Sequence, residues 1–401
     1  FELHIFYIRR RNARYIRSIG CSIARESFFL SFGMAATSDS YTPESSHPTL
    51  YWHTLADGRV QCDLCPRACK LKPDQRGMCF VRANEAGAVV LKTYGRSSGF
   101  CIDPIEKKPL NHFLPGTPVL SFGTAGCNLA CRFCQNWDIS KSREMDTLAD
   151  SATPEAIARA AVQYGCRSVA YTYNDPVIFM EYAVDVAQAC REQGIYSVAV
   201  SAGYISPEPR AEFFQYMDAA NIDLKGFNAD FYQKLCAGEL DVVLETLIYL
   251  KQSTRVHVEI TNLIIPGAND SEKELRAMCE WILTELGPDV PLHFTAFHPD
   301  FKMTDIASTP PGTLRRARNI ALESGIQHCY TGNVHSFADQ STYCHACKEL
   351  LIGRDWYQLS EYHLDEQGRC SYCGTVCPGV FESAPGRQGP HRVPVRLQAA
   401  F

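Results

Sequence analysis

Short apolar runs alternate with stretches of helical spacing along the chain from about residue 118. The runs predict seven strands, which are VLSFGT (119–124), SVAYTY (168–173), YSVAVS (196–201), AANIDL (219–224), HVEITNLI (257–264), LHFTAF (292–297) and QHCYT (327–331). Between them, apolar residues recur at the spacing of one helix face, as in Leu275, Met278, Cys279, Ile282 and Leu286. Strands that alternate with helices indicate an α/β fold built around a parallel sheet.

Two helix starts are marked by their own residues. Thr153 stands directly before Pro154, which is a favourable order for an N-cap and a first helical residue. Ser271 and Glu274 have the spacing of a capping box. We therefore expect helices to begin at these two points.

Polar residues follow several of the predicted strands. In βα barrels the reactive side chains project from the carboxyl ends of the strands, so these positions are candidates for a site. Asp223 and Lys225 are two residues apart and share a face, which predicts a charged pair in the barrel mouth. For each of these residues, a turn or a strand-end cap is the alternative interpretation. The remaining candidates are Asn174, Asp175, Ser201 and His298.

Composition restricts the class of protein. The chain has 401 residues, of which 46% are apolar and 21% are charged, as in an ordinary globular protein of two or three folding units. It contains no apolar run of eighteen residues, so we expect no membrane span. The formal net charge of -5 gives no reason to expect nucleic-acid binding.

The two ends differ from the middle. The chain begins with Phe1, and Met34 is the first possible start, so residues 1–33 are either an arginine-rich targeting peptide or an extension read from outside the natural start, which we favour. A Ser/Thr/Pro-rich linker follows over residues 35–48, and we expect residues 1–49 as a whole to be disordered or non-native. Residues 383–401 are predicted to be a flexible tail.

Cysteine is over-represented, with nineteen residues, and eleven of them fall into three groups with metal-ligand spacing. In an intracellular chain such groups favour metal over disulfides. One group consists of two C-x-x-C pairs that can form a closed tetrahedral site for zinc or a single iron, normally a structural one. Another group has tighter, uneven spacing and leaves zinc, mononuclear iron and an auxiliary iron–sulfur cluster open, again with a structural role favoured. The group with two C-x-x-C pairs is Cys344, Cys347, Cys370 and Cys373. The group with tighter, uneven spacing is Cys62, Cys65, Cys69 and Cys79.

The middle group has three cysteines, Cys127, Cys131 and Cys134, in a C-x3-C-x2-C loop. A 4Fe–4S cube takes one ligand for each iron, so three thiolates would leave one iron free to bind another molecule. Three free thiols or an incomplete zinc site are the alternatives. Cys101 is a less favoured fourth ligand because 26 residues separate it from Cys127. We expect Cys166, Cys190, Cys236, Cys279 and Cys329 to be small buried residues.

This loop, with the aromatic Phe133 before its last cysteine, resembles the radical S-adenosylmethionine (SAM) superfamily. Longer strings from about residue 50 to 382 resemble the radical SAM enzyme of the AmmeMemoRadiSam system, which is similar to pyruvate formate-lyase activating enzymes. These strings are DPIEKKPLNHFLPG, GCNLACRFCQNWDIS, YTYNDP, NIDLKGF, IIPGANDS, FHPDFKM and YTGN. The resemblance implies a partial (β/α)6 barrel with flanking four-cysteine units.

The resemblance also implies cofactors and roles. A 4Fe–4S cluster held by the three cysteines would bind SAM and cleave it to a 5′-deoxyadenosyl radical, which abstracts hydrogen from a substrate. The superfamily often has Gly-Gly-Glu after the second strand, whereas this chain has Asp175, next to Asn174, in place of the glutamate. Asp223 and Lys225 match an Asp-x-Lys motif and would contact the methionine part of SAM. His298 and Ser201 are candidates for the adenosine side.

The predicted organisation has five parts. Residues 50–115 form an N-terminal four-cysteine unit, 116–335 the barrel and 336–382 a zinc-ribbon or rubredoxin-like unit, between the extension 1–49 and the tail 383–401. A protein or peptide substrate is favoured over a small molecule, and a zinc-binding scaffold protein is the alternative of another class. We expect a cytoplasmic enzyme with ferredoxin or flavodoxin as electron donor, and the resemblance suggests AMMECR-type and Memo-type partners.

Overall fold

The computed structural model describes residues 46–143, 148 and 150–397. The predictions for residues 1–45, including the targeting peptide and most of the linker, lie outside the described residues. Within the described part of the chain, every helix is too short or too polar to cross a bilayer.

A nine-stranded sheet forms the centre of the molecule. All seven predicted strands are present and run parallel, one more than the six of the implied barrel, and two antiparallel strands extend one edge. Along the sheet the strands are β16 (Cys329–Gly332), β15 (Leu292–Ala296), β14 (His257–Ile264), β13 (Ala219–Asp223), β12 (Tyr196–Ser201), β11 (Ser168–Tyr171), β9 (Pro118–Phe122), β8 (Phe100–Pro104) and β20 (Val393–Val395).

Helices connect the parallel strands and cover the sheet. They are α1 (Trp137–Ser140), α2 (Pro154–Gln163), α3 (Met180–Glu192), α4 (Pro207–Phe214), α5 (Ala229–Phe231), α6 (Leu240–Ser253), α7 (Glu272–Glu285), α8 (Pro311–Ser324) and α9 (Phe337–Gln340). The predicted apolar face of α7 is buried. This burial anchors the amphipathic helix to the sheet.

The two predicted helix starts are confirmed, with one difference in detail. Thr153 accepts a hydrogen bond from the Ala156 N–H, and Ser271 accepts one from the Glu274 N–H. The Glu274 carboxylate, however, accepts hydrogen bonds from the Phe227 N–H and the Asn228 side chain. A tertiary contact thus replaces the second half of the capping box.

Small antiparallel sheets form the two flanking units. The N-terminal unit contains β1 (His47–Pro48) with β6 (Ala88–Leu91) and β5 (Arg82–Glu85), and β2 (Trp52–Thr54) with β3 (Val60–Cys62) and β4 (Lys70–Leu71). Its apolar residues share the barrel's core. The C-terminal unit contains β17 (Thr342–Tyr343), β18 (Leu350–Asp355) and β19 (Gln358–Tyr362), with a core of its own. A short pair, β7 (Arg96–Ser97) with β10 (Asp150–Ser151), lies between them in sequence.

The segment expected to be a flexible tail includes β20, which pairs antiparallel with β8 from Phe100 to Ile102. Its VPV sequence alone predicts little, because three residues are too few for a periodicity. Pairing instead depends on the open edge that β8 presents, which the strand covers. Backbone hydrogen bonds from Gly386 to Pro115 and from Gln388 to Gly116 hold the preceding residues against the barrel.

Candidate functional site

The three-cysteine loop begins directly after β9, at the carboxyl end of the parallel strands. Two backbone hydrogen bonds hold the loop against Leu235 and Cys236. They run from Ala130 N to Cys236 O (2.9 Å) and from Arg132 N to Leu235 O (2.8 Å). Cys131 is buried, while Cys127 and Cys134 are half-buried. The three thiols therefore lie on a fixed loop at the edge where parallel-sheet enzymes carry their reactive groups.

Asn174 fixes the turn that leads into Cys127. Its side-chain Nδ2 donates to the carbonyl oxygen of Gly126 (3.0 Å) and to the hydroxyl of Thr124 (3.2 Å), and its Oδ1 accepts from the Thr124 N–H (3.1 Å). Asn174 is buried, so these groups have no water to replace the side chain. Asn174 thus supports the cysteine loop, and its contact with SAM stays a prediction.

Asp175 accepts three hydrogen bonds from the protein. One carboxylate oxygen accepts from the Ser201 hydroxyl (3.0 Å) and the Val177 N–H (3.1 Å), and the other accepts from the Ala202 N–H (2.9 Å). Burial raises its pKa in spite of these bonds. The structure brings Asp175 and Ser201 together, and their contact joins the second and third parallel strand ends.

Asp223 and Lys225 form the predicted pair, with Lys225 Nζ 2.8 Å from Asp223 Oδ2. Burial alone would lower the pKa of Lys225, but Asp223 and the sulfurs of Cys131 and Cys236 raise it well above its ordinary value. The ammonium group is therefore charged and faces the cysteine loop. This places a carboxylate and a cation beside Cys131. These are the groups that bind the amine and the carboxylate of an amino-acid ligand.

Cys236 lies next to Cys131, which the sequence did not predict. It is buried, as expected, and its proximity to Cys131 is the main cause that lowers the pKa of Cys131 to about 6. Cys236 therefore lies beside Cys131, in addition to the three cysteines of the loop.

The two remaining candidates near the barrel have different surroundings. His298 follows β15 and is half-buried. Cys101, the less favoured fourth ligand, lies on β8, where Arg392 Nε approaches its sulfur to 2.9 Å. A guanidinium donor on that sulfur indicates a hydrogen-bonded thiol within the sheet.

Tyr173 links the barrel to residues of the DPIEKKPLNHFLPG string. Its backbone is left-handed (φ 70°), and its hydroxyl donates to Asp103 Oδ2 (2.9 Å). Asp103 also binds Lys108 Nζ (2.7 Å) and Lys107 Nζ (2.9 Å). Burial opposes ionisation of Asp103, but the two lysines lower its pKa overall. This buried network could not be predicted, because it joins residues 70 positions apart.

The C-terminal cysteines form a compact four-sulfur group. The sulfur atoms of Cys344 and Cys373 are 3.7 Å apart, as are those of Cys347 and Cys370. All four lie within 4.8 Å of one another. A tetrahedron with metal–sulfur bonds of about 2.3 Å has edges of about 3.8 Å, so these thiols fit a single zinc or iron ion.

The C-terminal unit covers the amino ends of the strands, opposite the three-cysteine loop. Arg354 on β18 donates to the carbonyl oxygen of Asn111 (2.7 Å), and Leu114 N donates to Val380 O (2.8 Å). The 105–114 segment in turn packs on the first residues of the strands, where Phe113 contacts the ring of His257. The four-sulfur group is therefore remote from the three-cysteine loop.

A second group of possible ligands, His112, His328 and Cys377, is buried at the same end. Both ring nitrogens of His112 already have protein partners, the carbonyl oxygen of Pro378 (2.6 Å) and the hydroxyl of Tyr330 (2.5 Å). Burial lowers the pKa of His112 to about 4, so the ring is neutral. His112 thus belongs to a hydrogen-bond network, whereas His328 packs against its ring without a partner for Nε2 among the described residues.

The comparisons with known proteins agree with this arrangement. The family model of the radical SAM superfamily matches residues 122–281. An uncharacterized protein of Methanocaldococcus jannaschii is 42% identical over 326 residues, which cover 81% of this chain and 97% of the relative. The pyruvate formate-lyase-activating enzyme of Clostridium pasteurianum is 25% identical over 166 residues, covering 39% of this chain and 66% of that enzyme.

Among solved structures, a domain of the pyruvate-formate lyase-activating enzyme from Bacteroides vulgatus aligns with 41% of this chain and 99% of its own, at 18% identity and a TM-score of 0.37. The family model begins at the end of β9 and continues through the cysteine loop to α7. Since these are the elements that carry the three thiols and the Asp223–Lys225 pair, the chain belongs to the radical SAM superfamily and is a radical SAM enzyme.

Proposed function

We propose that Cys127, Cys131 and Cys134 hold a 4Fe–4S cluster with one open iron, on which SAM binds. The observation that carries this proposal is the loop itself, which offers three thiols at the carboxyl end of β9. Cys236 lies beside Cys131 and lowers the pKa of its thiol. A closed four-ligand site, in contrast, would leave no position for a substrate.

When bound, the cluster and SAM supply a 5′-deoxyadenosyl radical through one-electron cleavage of the sulfonium, and the radical abstracts hydrogen from the substrate. The chain's own residues position these groups. Lys225 offers a charged donor, and Asp223 an acceptor, for the carboxylate and amine of the methionine part. Asp175 holds Ser201 at the end of β12. We assign Ser201 and His298 to the adenosine side.

We further propose that the substrate is a protein or peptide. Activating enzymes among the relatives support this choice, since pyruvate formate-lyase is itself a protein. The reduced cluster needs a low-potential donor, for which ferredoxin or flavodoxin is suited, and a reducing cytoplasm. AMMECR-type and Memo-type proteins are the partners to test first. For Cys344, Cys347, Cys370 and Cys373 we propose a structural zinc or mononuclear iron.

Anaerobically purified protein provides the test. With dithionite and SAM, the protein should form 5′-deoxyadenosine, and the single variants Cys127→Ala, Cys131→Ala and Cys134→Ala should lose that product. Cys166→Ala, at a buried cysteine remote from the loop, is the matched control. Persistence of the product in the three variants, or a colourless protein that contains only zinc, would refute the cluster. Transfer of deuterium from a labelled partner protein into 5′-deoxyadenosine would identify the substrate.

A further inference from the structure

The four N-terminal cysteines line a cavity. Cys62, Cys65, Cys69 and Cys79 line a small cavity, together with Arg67 and Asn128. Cys62 is buried and the other three are half-buried.

The two four-cysteine groups differ in the spacing of their sulfurs. Among the described residues, the C-terminal cysteines meet the condition that all ligand atoms lie within 4.8 Å of one another, whereas no three of the N-terminal cysteines do so. One ion with bonds of about 2.3 Å cannot reach four sulfurs spread beyond this distance. A 4Fe–4S cube can, because each thiolate binds a different iron at its own corner.

We propose that Cys62, Cys65, Cys69 and Cys79 hold a second 4Fe–4S cluster, with all four irons ligated by protein. The inference rests in part on the proposed function, because it gives this cluster the role of supplying electrons to the one on the three-cysteine loop. A cluster without an open iron has no place for a substrate, and electron transfer is the chemistry that remains to it.

The surroundings of the cavity fit such a cluster. Gly77 lies against the cysteines, since an added Cβ would be in van der Waals contact with the Cys69 sulfur at 3.7 Å and the Cys79 sulfur at 3.8 Å. Arg82 is fully buried beside Cys62 and Cys79, and its guanidinium is paired with Glu181 and donates to Ile178 O (3.0 Å). A fixed cation at this position offsets the negative charge of four thiolates.

The cavity also touches the three-cysteine loop directly. Arg67 Nε donates to the carbonyl oxygen of Asn128 (2.8 Å), so a residue between Cys65 and Cys69 binds one between Cys127 and Cys131. A Cβ on Gly126 would lie only 1.9 Å from the carbonyl oxygen of Cys79. The two cysteine loops are in contact, with no layer of protein between them. One electron can then pass from the reduced second cluster to the oxidised cluster that binds SAM, and an external low-potential reductant replaces it.

The first experiment separates the two clusters. The triple variant Cys127→Ala, Cys131→Ala, Cys134→Ala is reconstituted anaerobically with iron and sulfide, and circular dichroism confirms its fold. We expect about four inorganic sulfides per chain in the variant and about eight in the wild type. The matched variant Cys62→Ser, Cys65→Ser should also contain about four. A folded triple variant with no sulfide, and with one zinc ion in addition to the ion of the C-terminal cysteines, would overturn the proposal, whether or not the wild type cleaves SAM.

The second experiment counts electrons. Enzyme reduced with dithionite and then freed of reductant is mixed with SAM, without further donor. Two reduced clusters should yield about two 5′-deoxyadenosines per wild-type chain, and the Cys62→Ser, Cys65→Ser variant should yield about one. A wild-type yield of one, with the second cluster still reduced by its electron paramagnetic resonance signal, would contradict the electron-supply role. No product from either protein would instead refute the proposed function.

Discussion

Asn174 Nδ2 lies 3.0 Å from the carbonyl oxygen of Gly126, one residue before the first cysteine of the radical SAM loop. The bond fixes the direction in which the chain leaves the sheet. Gly126 has a left-handed backbone (φ 83°) and no room for a side chain, so the turn has one geometry. The amide thus acts on the cluster site through the backbone.

We expect Asn174→Ala to lower cluster content and 5′-deoxyadenosine formation together. The substitution leaves buried carbonyl groups without a donor, which costs about 1–3 kcal/mol for each group. Asn174→Asp is the informative companion, because it keeps the acceptor for the Thr124 N–H but loses the donor to Gly126. Iron and sulfide assays after anaerobic reconstitution measure the effect. Full cluster content in both variants would show that the turn needs no support from Asn174.

Lys225→Met should weaken SAM binding. The charged ammonium next to Asp223 is the donor that we assign to the SAM carboxylate, and a hydrogen bond to a charged group contributes about 1.5–3 kcal/mol. This corresponds to a loss of roughly tenfold to a hundredfold in affinity. Titration of the reduced cluster's electron paramagnetic resonance signal with SAM measures it.

Lys251→Met is the matched control for this change. Lys251 pairs with Asp289 at 2.7 Å, close to the distance in the Lys225–Asp223 pair, but at the protein surface. Exposed pairs contribute little, so SAM affinity should stay at the wild-type value. Equal SAM affinity in both variants would remove Lys225 from the SAM site.

Periodicity and spacing predicted the seven parallel strands and the cysteine loop, because these features depend on neighbours in sequence. The position of Cys236 beside Cys131 could not be predicted in this way. Its position in a short π-helix, Tyr232–Cys236, turns the thiol toward Cys131, and a buried cysteine in a helical segment gives no sign of this. The contact of Asp175 with SAM stays a prediction, but its partners in the fold, Ser201 and the Ala202 N–H, could not be predicted because they come from another strand end.

Cys370→Ala should destabilise the C-terminal unit while the barrel stays folded. A structural metal contributes its binding free energy to folding, which for small zinc units is roughly 10 kcal/mol. This unit has a separate apolar core of few residues, so it should unfold locally. Limited proteolysis after residue 336 and metal analysis measure the change. Loss of one ion with unchanged protease resistance would contradict a structural role.

His112 should make stability depend on pH between about 4 and 6.5. Burial lowers the pKa of the ring to about 4 in the folded protein, whereas an unfolded histidine has a pKa of about 6.5. As pH falls through this window, the unfolded chain takes up a proton that the folded chain does not. Stability is therefore fully present above pH 6.5, and about 2 kcal/mol is lost by pH 5.

Urea unfolding of the protein that retains His112 and of His112→Gln at pH 7 and pH 5 isolates this contribution. Any acid loss of metal acts on both proteins, so its effect cancels in the comparison. Both proteins carry His328→Gln, because burial and His112 together lower the pKa of His328. The variant is less stable at pH 7, because it loses the bonds to Tyr330 and Pro378. It should nevertheless lose about 2 kcal/mol less than the protein that retains His112 on acidification. The same loss in both proteins would mean that His112 is not held neutral by the fold.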